Sequence, residues 1–276
     1  MSSGTLYIVA TPIGNLADAS PRCIEALRAA AVVACEDTRT ARTLLAHYGV
    51  STRTLSLHEH NERVASARLL AMLSEGQSVA LVSDAGTPAL SDPGAWLVEQ
   101  AHKAGIRVTP VPGPNAAVSA FSASGFAADR FLFAGFLPAS RPARRKALEA
   151  LQVPWPLILY EAPHRIVETI EDLAERFGGG REICIARELT KKFEEVVRLP
   201  LAQAGAWLNA QPHRVQGEFV IVVAPGAAKA AAALDAERVL SVLLAAMPPS
   251  EAAKLAARIT GLPKRALYRK ALERSK

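Results

Sequence analysis

The chain has 276 residues, half of them hydrophobic and about a fifth charged, with a formal net charge of +6. That length suits one large domain or two ordinary ones with their own cores, and the composition is that of a globular protein. Three scattered cysteines (Cys23, Cys35, Cys184) without CxxC spacing exclude a paired disulfide framework and point to a reducing cytoplasm. The N-terminus lacks a signal-peptide pattern, and no apolar run of roughly eighteen residues predicts a membrane span.

In chain order, TLYIVA (5–10) is predicted as a strand and SPRCIEALRAA as a helix, with Ser20 as N-cap and Pro21 in the first turn. Strands at 31–35, 53–57, 78–83 and 106–111 follow, separated by helices over 39–48, up to Gly76, and from Pro93 to Ala104. Five apolar strands alternating with helices predict an α/β domain with a parallel sheet over residues 1–113. Over 114–225 the expected elements are a helix at 115–124, strands at 131–136 and 156–160, helices at 141–151 and 164–177, and strands at 182–187, 194–200 and 218–225. Successive strands with little helix between them predict antiparallel pairing and an α+β unit. A small-residue linker (226–234) then leads to helices at 235–246, 250–259 and 263–274. Gly261 and Pro263 suit the turn of a helix-turn-helix, so 235–276 is expected to be a separate module.

Charge divides at the same place. Ten Lys/Arg and four Asp/Glu fall within residues 229–276, so this tail carries the whole excess and the body is neutral. The tail is either a polyanion-binding appendage or a solubilising one. Lys264, Arg265, Arg269, Lys270 and Arg274 lie on its last helix, where Leu262, Ala266, Leu267 and Leu272 are expected to pack inward.

Four loops at strand ends are rich in proline and glycine: Thr11-Pro12-Ile13-Gly14-Asn15, Asp84 to Gly94 (DAGTPALSDPG), Pro112-Gly113-Pro114-Asn115-Ala116 and Glu161-Ala162-Pro163-His164. Strand ends and helix N-termini converge on a crevice in open α/β sheets, and stiff loops there read a small polar molecule through backbone groups. There is no GxxxxGK[ST], GxGxxG or GxSxG element, and His58-Glu59-His60 lacks a third metal ligand.

Taken in order, TPIGNLAD, EDTR, HEHN, SDAGTPALSDPG, VPGPNA, YEAPHR and ARELTKKFEE resemble one family, the small-subunit ribosomal RNA ribose-2′-O-methyltransferases of the tetrapyrrole-methylase superfamily. The resemblance covers roughly residues 5–225, and the tail is similar to that family's C-terminal helix-turn-helix. It implies a two-domain tetrapyrrole-methylase fold, with S-adenosylmethionine in the cleft between the domains. Pro12, Asp84, Ala85, Gly86, Leu90, Asn115, Ala116, Tyr160 and Glu161 would line the cofactor site, with Asp84 either a ligand group or a loop cap. It also implies a homodimer acting in the cytoplasm on a cytidine of the small ribosomal subunit. The base that takes the hydroxyl proton stays open among Glu36, Asp37, His58, Glu59, His60, Glu161, His164 and Glu188. Arg39, Arg165, Arg187, Lys191 and Lys192, with Lys264, Arg265, Arg269 and Lys270 of the tail, are either phosphate contacts or solvated side chains. Two other functions fit the same features, a corrin-ring methylase and a non-catalytic RNA-binding protein; the basic tail weighs against the first and the structured loops against the second.

Overall fold

The computed structural model describes residues 3–151, 153–226 and 228–274. The first sheet contains β1 (Thr5–Val9), β2 (Val32–Cys35), β3 (Thr54–Ser56), β4 (Val79–Leu81) and β5 (Arg107–Val111), in the order β3-β2-β4-β1-β5. Every pairing in it is parallel, as the alternation of strands and helices predicts. Both faces are covered, and the pleat shows which residue goes where. Val32, Ala34, Val79 and Leu81 pack with Leu69, Leu73, Leu97 and Ala101 of α3 (Glu62–Ser74) and α4 (Ala95–Lys103). The intervening Val33, Cys35 and Ala80 pack with Cys23, Leu27, Ala41 and Leu45 of α1 (Pro21–Ala29) and α2 (Thr38–His47). Ser20 caps α1 as expected, its hydroxyl accepting from the Cys23 N–H at 3.1 Å.

The second sheet contains β6 (Leu132–Phe136), β7 (Leu157–Glu161), β8 (Glu182–Arg187), β9 (Glu195–Pro200) and β10 (Phe219–Val223), ordered β6-β7-β10-β8-β9. Three of its pairings are antiparallel, while β6 joins β7 in parallel across the helical connection α6 (Arg141–Ala150). One face packs against α6, α7 (Ile166–Phe177) and α8 (Leu201–Asn209); the other is covered by α5 (Ala116–Ser124). Helix α8 is absent from the sequence-based expectation. It starts directly from Pro200 and carries Gly205 at its centre, two signals that disfavour a helix until Leu201, Ala204 and Leu208 find a core to bury against.

The C-terminal helices are α9 (Ala228–Leu244), α10 (Pro249–Thr260) and α11 (Lys264–Arg274). The expected linker 226–234 falls partly outside the described residues, and from Ala228 its backbone is already helical. Gly261 takes the left-handed turn between α10 and α11 (φ 70°), as expected. Leu267 and Ala271 pack inward against Leu240, Ala253 and Ala256. Ala266 and Leu272 are corrections: both face solvent, because the buried stripe runs through 267 and 271. No helix among the described residues is long and apolar enough to cross a membrane.

Candidate active site

Strand order sets the position of the cleft. After β1 the chain turns to α1 on one face of the first sheet, and after β4 it turns to α4 on the other. The loops therefore part between these neighbouring strands, which is the switch point where α/β sheets bind ligands. Thr11 and Gly86 bridge the two loops at their base, Thr11 N–H donating to Gly86 O (2.8 Å) and Gly86 N–H to Thr11 O (3.1 Å). Gly86 takes φ +82°, which an L side chain adopts only at a cost, and a Cβ there would stand 3.3 Å from Ile13 Cγ2.

Above this bridge is a cleft of about 380 Å³, walled by both sheets. The first unit contributes Ile13 and the loop from Asp84 to Asp92; the second contributes Asn115, Ala116, Phe136, Tyr160 and Glu161, with the start of β10 and the end of β8. The units also touch beside it: a Cβ on Gly14 would stand 2.5 Å from Lys191 Cγ. Thr87 and Asn115 tie the walls together. Asn115 donates to Thr87 Oγ1 (3.1 Å), Thr87 donates to Pro114 O (3.3 Å), and Asn115 Oδ1 caps α5 by accepting from Val118 N–H. The Asp84 carboxylate accepts from the Asp37 N–H (3.2 Å), which joins the loops after β2 and β4.

The lining is largely apolar, with the neutral polar side chains of Thr87, Ser91, Asn115 and Tyr160, and its charged groups are all acids. Asp84, Asp92, Glu161 and Glu218 reach it, and no lysine, arginine or histidine does among the described residues. Burial, then the Glu36 and Asp84 carboxylates, push Asp92 up to about 6. Such a cleft repels phosphates and accepts a ligand with apolar rings and positive charge. The three buried cysteines are no nucleophiles, since burial pushes their thiols up to about 11.

Of the residues expected to hold the cofactor, Asp84, Ala85, Gly86, Leu90, Asn115, Ala116, Tyr160 and Glu161 come together in this cleft, and Pro12 does not. Pro12 is buried and outside the lining, while the neighbouring Ile13 belongs to it. The backbone of Gly86 is committed to Thr11, so the glycine shapes the loop and does not present its own amide to a ligand.

Four of the eight candidate bases, Glu161, Glu188, His164 and Glu36, separate. Glu161 is buried and saturated, its carboxylate accepting from Thr169 Oγ1 (2.6 Å), Ala162 N–H (2.8 Å) and Arg165 Nη2 (3.1 Å). It is a structural anchor for the start of α7. Glu188 is likewise committed, accepting from Lys191 Nζ (2.9 Å) and Glu218 N–H (3.0 Å). His164 is exposed on the turn before α7, outside the lining. Glu36, half-buried after β2, also lies outside the lining, though its carboxylate helps to raise the pKa of Asp92.

The cationic residues divide too. Arg187 is 3% exposed and donates to Gln216 O (2.8 Å) and Phe193 O (2.9 Å), so it cannot reach a phosphate. Arg165 is held by Glu161 and Leu137 O, and Lys191 by Glu188 and Glu218. Lys270 pairs with Glu237. Arg39 (paired with Asp37), Lys192, Lys264, Arg265 and Arg269 face solvent. The Arg274 side chain lies outside the described residues.

Two parallel-to-mixed sheets with an acidic, apolar cleft at their switch point define a methylase of the tetrapyrrole-methylase class, and the family described as Tetrapyrrole (Corrin/Porphyrin) Methylases matches residues 5–205. The RsmI C-terminal HTH domain matches residues 230–275. The chain belongs to the ribosomal RNA small subunit methyltransferase I family: it is 50% identical to that protein of Pseudomonas aeruginosa, with 99% of each chain covered. It is 51% identical to the Xylella fastidiosa relative of the same name, covering 96% of this chain and 98% of the other. Among solved structures, uroporphyrin-III C-methyltransferase from Thermus thermophilus, complexed with S-adenosyl homocysteine, shares the fold at a TM-score of 0.54 and 18% identity, over 79% of this chain and 97% of that one.

Proposed function

We propose that this methyltransferase moves a methyl group from S-adenosylmethionine to the ribose 2′-hydroxyl of a cytidine in small-subunit ribosomal RNA, acting as a cytoplasmic homodimer. The observation that carries it is the cleft itself. Its apolar walls and its acids, with no cationic group among the described residues, match a molecule with an adenine ring and two positive centres and reject nucleoside triphosphates. When bound, that molecule supplies a methyl group already activated by a sulfonium. The chain's own task is alignment, which can contribute roughly 7–11 kcal/mol when the reacting atoms are held in line. Asp84 and Asp92 hold the positive charge, and the largely apolar lining excludes water.

Tritium transfer from labelled cofactor tests this function. Label should enter small ribosomal subunits and appear in one alkali-resistant cytidine dinucleotide. Label in a corrin-ring precursor instead, or in no acceptor while cofactor binds, would overturn the proposal.

The charge on Asp92 has a direct consequence. A cationic ligand prefers the ionised carboxylate, so cofactor affinity should rise with pH through about 6 and level off above it. Calorimetry across that range should show the rise in wild type, with Asp92→Asn weaker and flat.

The exposed arginines of α11 account for affinity toward the subunit. Arg265 and Arg269 lie one turn apart on the solvent face. Each neutralised phosphate contributes a slope of about −0.7 to −0.9 in log affinity against log salt. The double variant Arg265→Ala, Arg269→Ala should bind subunits more weakly, with a slope flatter by about one to two units, and bind cofactor unchanged. A salt titration of subunit binding checks both.

A further inference from the structure

Two aromatic side chains stand uncovered at the cleft or beside it, Phe136 (55% exposed) in its lining and Phe193 outside it. Phe193, at the tip of the connection between β8 and β9, is 63% exposed. A loose loop would fold such a ring inward, because apolar surface left in water is unfavourable. This loop is not loose. Glu188 and Thr190 hold left-handed backbone conformations (φ 52° and 65°), which persist in non-glycine residues only where surrounding contacts enforce them. Lys191 N–H donates to Glu188 O (3.0 Å), Glu194 N–H to Lys191 O (3.2 Å), and Thr190 N–H to the Glu194 carboxylate (2.5 Å). From below, the buried Arg187 guanidinium fixes the tip by donating to the Phe193 carbonyl at 2.9 Å. The base of the loop is part of the cleft: Leu189 lines it, and Lys191 pairs with Glu218, which also lines it.

Over one face of the ring lies a cation, Lys192 Nζ, 5.5 Å from the ring centre and exposed, so the opposite face is the one offered to a base. An aromatic face with an adjacent ammonium is what a single-stranded nucleic acid requires, one element for a base and one for the phosphate next to it. A ribose hydroxyl also enters a closed-in cleft only when its nucleotide leaves the helical stack, which strips the neighbouring base of a stacking partner. We propose that Phe193 replaces that partner: it stacks on the base flanking the target nucleotide, with Lys192 on the adjoining phosphate, and holds the RNA single-stranded at the mouth of the cleft. Arg187 is the post that keeps the ring in place. This inference rests on the RNA methyltransferase function proposed above.

The test uses the full chain as wild type, Phe193→Ala, Phe193→Trp and Lys192→Ala, with unmethylated small ribosomal subunits as acceptor. Phe193→Ala should raise the KM for subunits roughly 5- to 100-fold while kcat and cofactor Kd stay the same, and Phe193→Trp should restore the KM. A short labelled single-stranded RNA should bind wild type better than the same RNA in a duplex, and Phe193→Ala should lose that preference. An unchanged KM and preference in Phe193→Ala would overturn the inference. So would dissociation of an oligomer by that substitution in sedimentation equilibrium, since the ring would then belong to a contact between copies. If wild type methylates no subunit, the proposed function fails, and the oligonucleotide comparison still decides the role of the ring.

Discussion

Replacing Gly86 by valine is expected to weaken S-adenosylmethionine binding at least about a hundredfold, close to 2.7 kcal/mol, while the secondary structure survives. Three effects act together at this residue. Its φ of +82° lies where an L side chain costs roughly 1–2 kcal/mol, and a β-branched one is worse still. A Cβ would already sit 3.3 Å from Ile13 Cγ2, so the γ-methyls of valine would displace a side chain that lines the cleft. The backbone of Gly86 also closes the bridge to Thr11 at 2.8 and 3.1 Å, and relieving the strain would pull the loops after β1 and β4 apart at the switch point. Gly86→Ala, which lacks the γ-methyls, should fall between the two. Calorimetry gives the affinities and circular dichroism the fold. A folded valine variant with wild-type affinity would show that the loop shape does not control the site.

The part of this site that could be read in the sequence is the part built from local signals. DAGTPALSDPG announces itself by proline and glycine at a strand end, and Asn115 and Tyr160 stand at the ends of equally recognisable strands. Ala186, Leu189 and Phe219 could not be read in the same way. They reach the cleft because β10 inserts between β7 and β8, a pairing between distant segments that no short motif encodes. Asp92 was visible as an aspartate in the loop, but its elevated pKa depends on burial beside Glu36 and Asp84. Arg187 shows the opposite error, since clustering with lysines suggested a phosphate contact. Its place at the end of the apolar strand EICIAR was the better signal, because that strand is buried on both faces. The basic start of α6, RPARR, finds its complement in α7. Glu168, Glu171, Asp172 and Glu175 recur at three- and four-residue spacing and form one acidic stripe, which α6 meets.

At the centre of that contact, Asp172→Ala is expected to destabilise the chain by about 3–5 kcal/mol without touching the cleft. Asp172 and Arg144 have fully buried side chains. The carboxylate accepts from Arg144 Nε at 2.7 Å and from Arg141 Nε and Arg145 Nε, each at 2.9 Å. Deleting it leaves the buried guanidinium with Glu168 and the Ala139 carbonyl alone, and an under-compensated buried charge is among the most expensive single defects a fold can carry. Urea denaturation should show the loss as a lower midpoint. The double variant Asp172→Leu, Arg144→Met should recover much of it, because apolar residues in place of a buried ion pair are often neutral or better. Acid provides a second check. Burial pushes the Asp172 carboxyl up, but the three arginine hydrogen bonds outweigh it and hold the group below its usual range. A carboxyl depressed on folding stabilises the native state above its unfolded value, about 3.9, and that contribution fades as pH falls through the lower folded value. The stability gap between wild type and Asp172→Ala should therefore stay constant near neutrality and narrow only below about pH 4. A gap that narrowed near pH 6 would place the stabilising charge on another residue.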